Sequence, residues 1–365
     1  MKVLHCPIIA LYQPYLYVKG LRELGVEADY MLHNASPQEL FFAREYDYNL
    51  EMAATREKKT NQAAATRSLE FFLYAARHYD VFHFHSGISL SAEPYWLWTP
   101  QLADLKYLKS IGKKIVMSWW GCDLRTPAVD LKYPWSACNV CPEEKKKFCS
   151  RPEKLETIHL ALQYADVHLS GGDICAAYPF THWMNNAIDT EEFKPVEPAD
   201  IPEKYRLPPT DKVRIYHSFG NAAVRGDVKG SSYIRDAVTR LQAEGYPVEL
   251  IFIDNVPNKD IKYIQTQADI VADQLLAGWY GSAGMECLSM GKPVITYIRP
   301  EVARIAPKDH PLINASPDTI YPVLKNLLDH RETLPEIGRR SREYILRYHD
   351  YRLVAQQLKD IYETI

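Results

Sequence analysis

Short apolar runs rich in β-branched residues alternate along the chain with longer stretches whose apolar positions recur at helical spacing. In the first half, residues 2–5, 26–32, 81–85, 114–119 and 167–170 form such short runs and predict strands. Helical patterns at 14–24, 67–78, 100–110 and 152–164 fall between them. From residue 213 the rhythm restarts, with strands predicted at 213–219, 248–254, 270–273 and 293–298. Helices are expected at 229–244, 258–267 and 283–290; in the first of these Tyr233, Ile234, Ala237, Val238 and Leu241 share one face. Ser316, followed by Pro317 and Asp318, reads as a further helix start. Strands that alternate with helices imply parallel sheets covered on both faces, an α/β architecture.

Pro195, Pro198, Pro202, Pro208 and Pro209 crowd into a charged stretch and mark a linker over 191–212. The expected organisation is a Rossmann-like domain over 1–190, a second over 213–345, and a C-terminal helix over 346–365 that returns to the first. The chain has 365 residues, enough for two such domains at roughly 150 residues each.

Composition narrows the function classes. Hydrophobic residues make up 47% and charged residues 24%, a globular balance. The net charge of -3 supplies no basic field for nucleic acid or anionic lipid. No run approaches the roughly 18 apolar residues of a membrane span. The apolar N-terminus is broken by His5, Pro7, Gln13 and Pro14, so it reads as a first strand rather than a leader. A cytoplasmic location is expected, and peripheral membrane association is compatible with it. Seven cysteines, an odd number, argue against a disulfide framework.

Candidate chemistry concentrates in the second half. The stretch 218–230, SFGNAAVRGDVKG, follows a strand and opens a helix. Gly220 lets backbone amides approach a ligand, and Arg225 and Lys229, one helical turn apart, can both face a diphosphate. The plainer alternative is a turn with two solvated cations. The stretch 278–295, GWYGSAGMECLSMGKPVI, holds a single acid, Glu286, in the first turn of a glycine-led helix. Ser282, Ala283 and Gly284 offer amides there. A carboxylate repels phosphate but accepts hydrogen bonds from a ribose diol; alternatively it only complements the helix dipole.

The run ADIVADQLLAGWYGSAGMECLSMGKPVI (268–295) resembles the nucleotide-sugar site of retaining glycosyltransferases of the GT-B fold, family four. The Arg225/Lys229 turn, DVFHFHS (80–86), NNAIDTEEFKP (185–195) and RPE (299–301) add to the likeness. The resemblance implies two Rossmann-like domains facing a central cleft. It implies transfer of a sugar from a nucleotide-diphosphate donor to an acceptor hydroxyl, without an obligatory metal. Arg225 and Lys229 would hold the diphosphate, Glu286 the ribose, and Ser282, Ala283 and Gly284 would present amides to the phosphates.

Two positions depart from the family. Its first glutamate falls on Gly278, so that Asp273 or Gln274 contacts the donor sugar instead, or the donor differs, or activity is lost. Its N-terminal-domain histidine falls on Trp120, within SWWGCD. Trp119 or Trp120 can stack on a sugar and Asp123 can bind hydroxyls. His83 and His85 supply polar contacts, or form no more than a satisfied strand-end pair. The acceptor is expected near Tyr12, Tyr15, Tyr17, His85 and Trp120. Separately, Cys122, Cys138, Cys141 and Cys149 have spacing compatible with a structural zinc site; reduced thiols in a polar loop are the alternative. Other functions open on this fold are an epimerase, a phosphorylase or a non-catalytic nucleotide-sugar-binding scaffold.

Overall fold

Twelve strands among the described residues form two parallel sheets, and the alternation of strand and helix explains why they are parallel: each strand is followed by a crossover. The computed structural model describes residues 1–8, 10–33, 45–51, 58–91, 101–218, 226–252 and 256–365. Two of the expected site residues, Gly220 and Arg225, lie outside them. The chain divides into two compact units. One comprises Met1–Thr126, Cys149–Ala187 and Tyr351–Ile365; the other comprises Pro127–Phe148 and Ile188–Asp350.

The first unit holds β1 (Lys2–Cys6), β2 (Glu27–Leu32), β3 (Tyr48–Asn49), β4 (Val81–His85), β5 (Lys114–Trp119), β6 (Val167–Ser170) and β7 (His182–Trp183). Their order in the sheet is β3-β2-β1-β4-β5-β6-β7. Side chains alternate across a strand, and that alternation sorts this sheet. Leu4, Phe82, Phe84, Ile115 and Met117 enter one core with Phe72 and Ala75 of the helix Lys58–His78. His5, His83 and His85 therefore point to the opposite face. Register pairs His5 with His83 and His85 with Ser118. The helices Gln13–Glu23 and Tyr351–Thr364 pack together within this unit.

The second unit holds β8 (Val213–Tyr216), β9 (Val248–Ile251), β10 (Ile270–Ala272), β11 (Val294–Thr296) and β12 (Ile313–Asn314), in the order β12-β11-β10-β8-β9. Its core joins Ile215, Ile270, Ala272 and Ile295 to Ile234, Ala237, Val238 and Leu241, the face expected of that helix, and to Leu324, Leu327 and Leu328. Each such isoleucine, leucine or valine side chain contributes about 1.5–3 kcal/mol by burial.

Some boundaries differ from expectation. The helix expected from Ser316 begins at Ile320. Ser316 instead closes a turn in which Thr319 Oγ1 accepts from its amide at 2.8 Å. Strand β8 ends at Tyr216 rather than 219. The segment Pro127–Phe148 groups with the second unit although it precedes β6 in sequence.

Candidate functional site

Open parallel sheets bind ligands beyond the carboxyl ends of their strands, where the order of connection reverses. In the second sheet that reversal lies between β8 and β10. The loops after these strands carry Lys229 and Asp273, residues singled out from the sequence. His217, just past β8, spans the point. Its Nδ1–H donates to the carbonyl of Ala272 at 2.6 Å, so its Nε2 accepts from Ser231 Oγ at 2.8 Å. Burial pushes its pKa down to about 4, which keeps it neutral. The Leu275 amide donates to the Lys229 carbonyl at 2.9 Å, fixing the half-buried Lys229 beside the end of β10.

Carboxylates cap both helix starts here. Asp227 accepts from the amides of Ser231 at 2.5 Å and Ser232 at 3.0 Å. Asp273, buried, accepts from Gly281 at 2.6 Å and also from the Gly284 amide. A Cβ on Gly284 would meet Asp273 Oδ2 at 2.5 Å, so the close approach requires glycine. In this structure the Gly284 amide faces an acid rather than open space for a phosphate. Burial raises the Asp273 pKa, against the opposing pull of Lys229 and of these amides. Its Oδ1 has no hydrogen-bond partner among the described residues. Gln274, the alternative group for the sugar contact, donates instead to the Trp279 carbonyl at 2.6 Å.

The helix Ser282–Ser289 carries Ser282, Ala283 and Gly284 in its first turn, but Glu286 is its fifth residue and lies in the second turn. The Glu286 carboxylate is buried; Oε1 accepts from Asn258 Nδ2 at 3.1 Å and Oε2 from Gln265 Nε2 at 2.9 Å. Complementing the helix dipole is therefore not its main contact. With about four lone-pair sites, a carboxylate so held can accept further hydroxyls.

Gly278 has φ +89, the left-handed region, and a Cβ there would sit 2.6 Å from Arg299 Cγ and Cδ. The buried Arg299 side chain thus fills the space a longer residue at 278 would need. Arg299 pairs with Asp130 at 2.9 Å and lies 3.9 Å over the Tyr133 ring. Both partners come from the Pro127–Phe148 segment, which is further anchored by the Ala137 amide donating to the Leu276 carbonyl at 3.0 Å.

In the first sheet the reversal lies between β1 and β4, where His5, His83 and His85 meet. Trp120 stacks with His85 at 5.7 Å between ring centroids and with Tyr17 at 6.3 Å. Trp119 is a core residue instead, its Nε1–H donating to His168 Nδ1 at 3.2 Å. Asp123 spends its carboxylate on the loop, accepting from the amides of Trp120, Gly121 and Leu124. Cys122 and Cys149 belong to the first unit, Cys138 and Cys141 to the second. One set of three potential ligands among the described residues comes within 4.8 Å of each other, and it is His5, His83 and His85, not the cysteines.

No family model matches the chain, and no curated protein does. Solved structures do, over the full length. Sucrose-phosphate synthase from Thermosynechococcus elongatus is 14% identical with a TM-score of 0.68, covering 100% of this chain and 99% of that one. Anabaena HepE in complex with UDP and glucose is 13% identical with a TM-score of 0.63, covering 100% of both chains. UDP-GlcNAc 2-epimerase from Neisseria meningitidis bound to UDP-GlcNAc is 12% identical with a TM-score of 0.56, also covering 100% of both. The chain has the GT-B fold. Among the described residues no helix is long and apolar enough to cross a membrane.

Within this GT-B chain, several residues of the candidate site carried no sequence signal: His217, Asn258, Gln265, and Arg299 as a space-filling group. Only Asp227 left a signal, an acid four positions before a helix-opening serine.

Proposed function

We propose that the protein is a glycosyltransferase that moves a sugar from a nucleotide-diphosphate donor to an acceptor hydroxyl with retention. One observation carries this reading. At the β8/β10 reversal, Lys229 is fixed beside the buried Asp273, and the buried Glu286 lies on the helix that follows β10. Lys229, with Arg225 from the same turn, stabilises the charge on the departing diphosphate. Glu286 accepts the ribose hydroxyls, and Asp273 takes the sugar contact that Gly278 cannot make. The complexes of HepE with UDP-glucose and with UDP and glucose support a nucleotide sugar as donor and a sugar hydroxyl as acceptor. The transfer needs no metal in this scheme.

A non-catalytic nucleotide-sugar binder is the second reading, favoured by Arg299 filling the space at Gly278. Incubation with a panel of nucleotide sugars, with and without sugar acceptors, separates them. Acceptor-dependent release of nucleoside diphosphate supports transfer; binding without turnover supports the second reading; an altered sugar without acceptor supports an epimerase. Lys229→Ala is expected to lower kcat roughly 100-fold or more. A wild-type rate in that variant removes the diphosphate assignment.

A further inference from the structure

At the β1/β4 reversal of the first unit, five buried groups form one unbroken hydrogen-bonded chain. His85 Nε2 lies 2.9 Å from His5 Nδ1. His5 Nε2 lies 3.3 Å from the Tyr362 hydroxyl, which lies 2.6 Å from His83 Nδ1. His83 Nε2 lies 2.7 Å from Ser118 Oγ. The three histidines are fully buried. At the far end, His85 Nδ1 is buried with no hydrogen-bond partner among the described residues, and so is the Nε1–H of Trp120, stacked on His85. Tyr17, Ser118 and Trp120 line a small cavity together with Ser170 and Asn186.

Burial lowers the pKa of His5 to about 3 and drives those of His83 and His85 well below the ordinary range. Each imidazole is therefore neutral at pH 7 and carries one N–H. That condition leaves the chain two arrangements. In one, all three histidines carry the proton on Nε2: His85 donates to His5, His5 to Tyr362, Tyr362 to His83 and His83 to Ser118, and His85 Nδ1 is bare. In the other, Ser118 donates to His83, all three histidines carry the proton on Nδ1, and His85 presents an N–H outward. The same five protons serve both, and no group is charged in either. The three ligating nitrogens are close enough for a cation. However, His5 and His83 already use both nitrogens in this chain, and coordination would break it.

We propose that His5, His83, Tyr362 and Ser118 form a proton relay that ends on His85 Nδ1, and that this nitrogen is the first unit's contact for a hydroxyl of a sugar-like acceptor. The acceptor role rests on the glycosyltransferase reading; the relay does not. When the acceptor oxygen bonds to the anomeric carbon and the diphosphate leaves, its hydroxyl proton passes to His85 Nδ1. Each neighbour then hands its proton one step on, and the Ser118 hydroxyl proton is released to water in the adjoining cavity. Every imidazole ends neutral, so a buried base works without a buried charge. His5, His83, Tyr362 and Ser118 are positioning residues; His85 alone touches the acceptor.

Nitrogen-15 NMR of the full chain labelled at histidine tests the relay without any substrate. The expected result is that His5, His83 and His85 share one tautomer. Unlike tautomers among the three, an imidazolium signal at pH 7, or metal-shifted nitrogens overturn it. Tyr362→Phe removes one hydroxyl and keeps the ring. It is expected to release the His83 tautomer from that of His5 and to lower kcat about tenfold with the donor KM unchanged. Unchanged tautomers in the variant overturn the relay, and changed tautomers with unchanged turnover overturn the acceptor contact. If no nucleotide sugar is ever turned over, the glycosyltransferase reading fails while the tautomers still decide the relay.

Discussion

Glu286 is both a candidate ligand group and the acceptor for two buried amides, and the two roles need different substitutions. Glu286→Ala removes the acceptor to which Asn258 Nδ2 and Gln265 Nε2 donate. An unsatisfied buried donor costs about 1–3 kcal/mol, so this variant is expected to lose about 2 kcal/mol or more in a denaturant titration as well as nucleotide affinity. Glu286→Gln keeps a carbonyl acceptor for one of the two amides, and Gln265, whose Oε1 has no partner among the described residues, can flip to accept from the new amide. That variant is expected to unfold near the wild-type midpoint while nucleoside diphosphate binding by calorimetry drops at least tenfold; wild-type affinity removes Glu286 from the site. Asp273 acts in the opposite sense. Its pKa is already raised by burial, and an arriving diphosphate favours its protonated form further. Binding then takes up a proton, and affinity falls as pH rises through that titration. Asp273→Asn is expected to bind nucleoside diphosphate several-fold tighter near neutral pH, with a flatter pH dependence.

At the scale of elements, the sequence pattern located the strands that matter because each is a buried apolar run between turn signals. The bounds of β4, β5 and β6 coincide with expectation. The two-residue strands β3, β7 and β12 were invisible, since two residues carry no period. The candidate site offered a sequence signal where it depends on residue type at a fixed spacing, as with the candidates Lys229 and Glu286. It was illegible where it depends on partners far apart in the chain. Asp130 meets Arg299 across 169 positions, by the difference of their numbers, and Tyr362 meets His83 across 279. No local pattern encodes either. The first of these pairings sets the place of the Pro127–Phe148 segment. Arg299→Met removes the cationic partner of a buried ion pair, a change that costs about 3–5 kcal/mol. The expected outcome is a lowered Tm and early proteolytic cleavage within residues 127–148; wild-type protection of that segment would mean that its other anchors suffice. Gly278→Ala is expected to be destabilised too, since it strains φ and displaces the same arginine.

For the whole molecule, the two sheets share a dependence on neutral histidine. Burial lowers the pKa of His5 to about 3, of His33, His168 and His217 to about 4, and of His83 and His85 well below the ordinary value of 6.5. As pH falls below 6.5, the unfolded chain takes up protons at these six positions and the folded chain does not. Stability supplied above pH 6.5 is therefore lost as pH falls, by about 1.4 kcal/mol per pH unit for each such histidine. Buried acids oppose this. Asp104 is pushed up to about 6, and Asp123 and Asp273 are raised, so between their ordinary 3.8 and the raised values the folded state binds the extra protons. The histidines outnumber these acids, so the net slope near pH 5.5 keeps the sign set by the histidines. Tm measured at pH 7.5, 6.5 and 5.5 is expected to fall little in the first step and steeply in the second. A level Tm across both steps would mean that the folded state protonates its histidines as readily as the unfolded chain does. Their burial would then be breached by water, and the neutral chain from His85 to Ser118 could not exist as described.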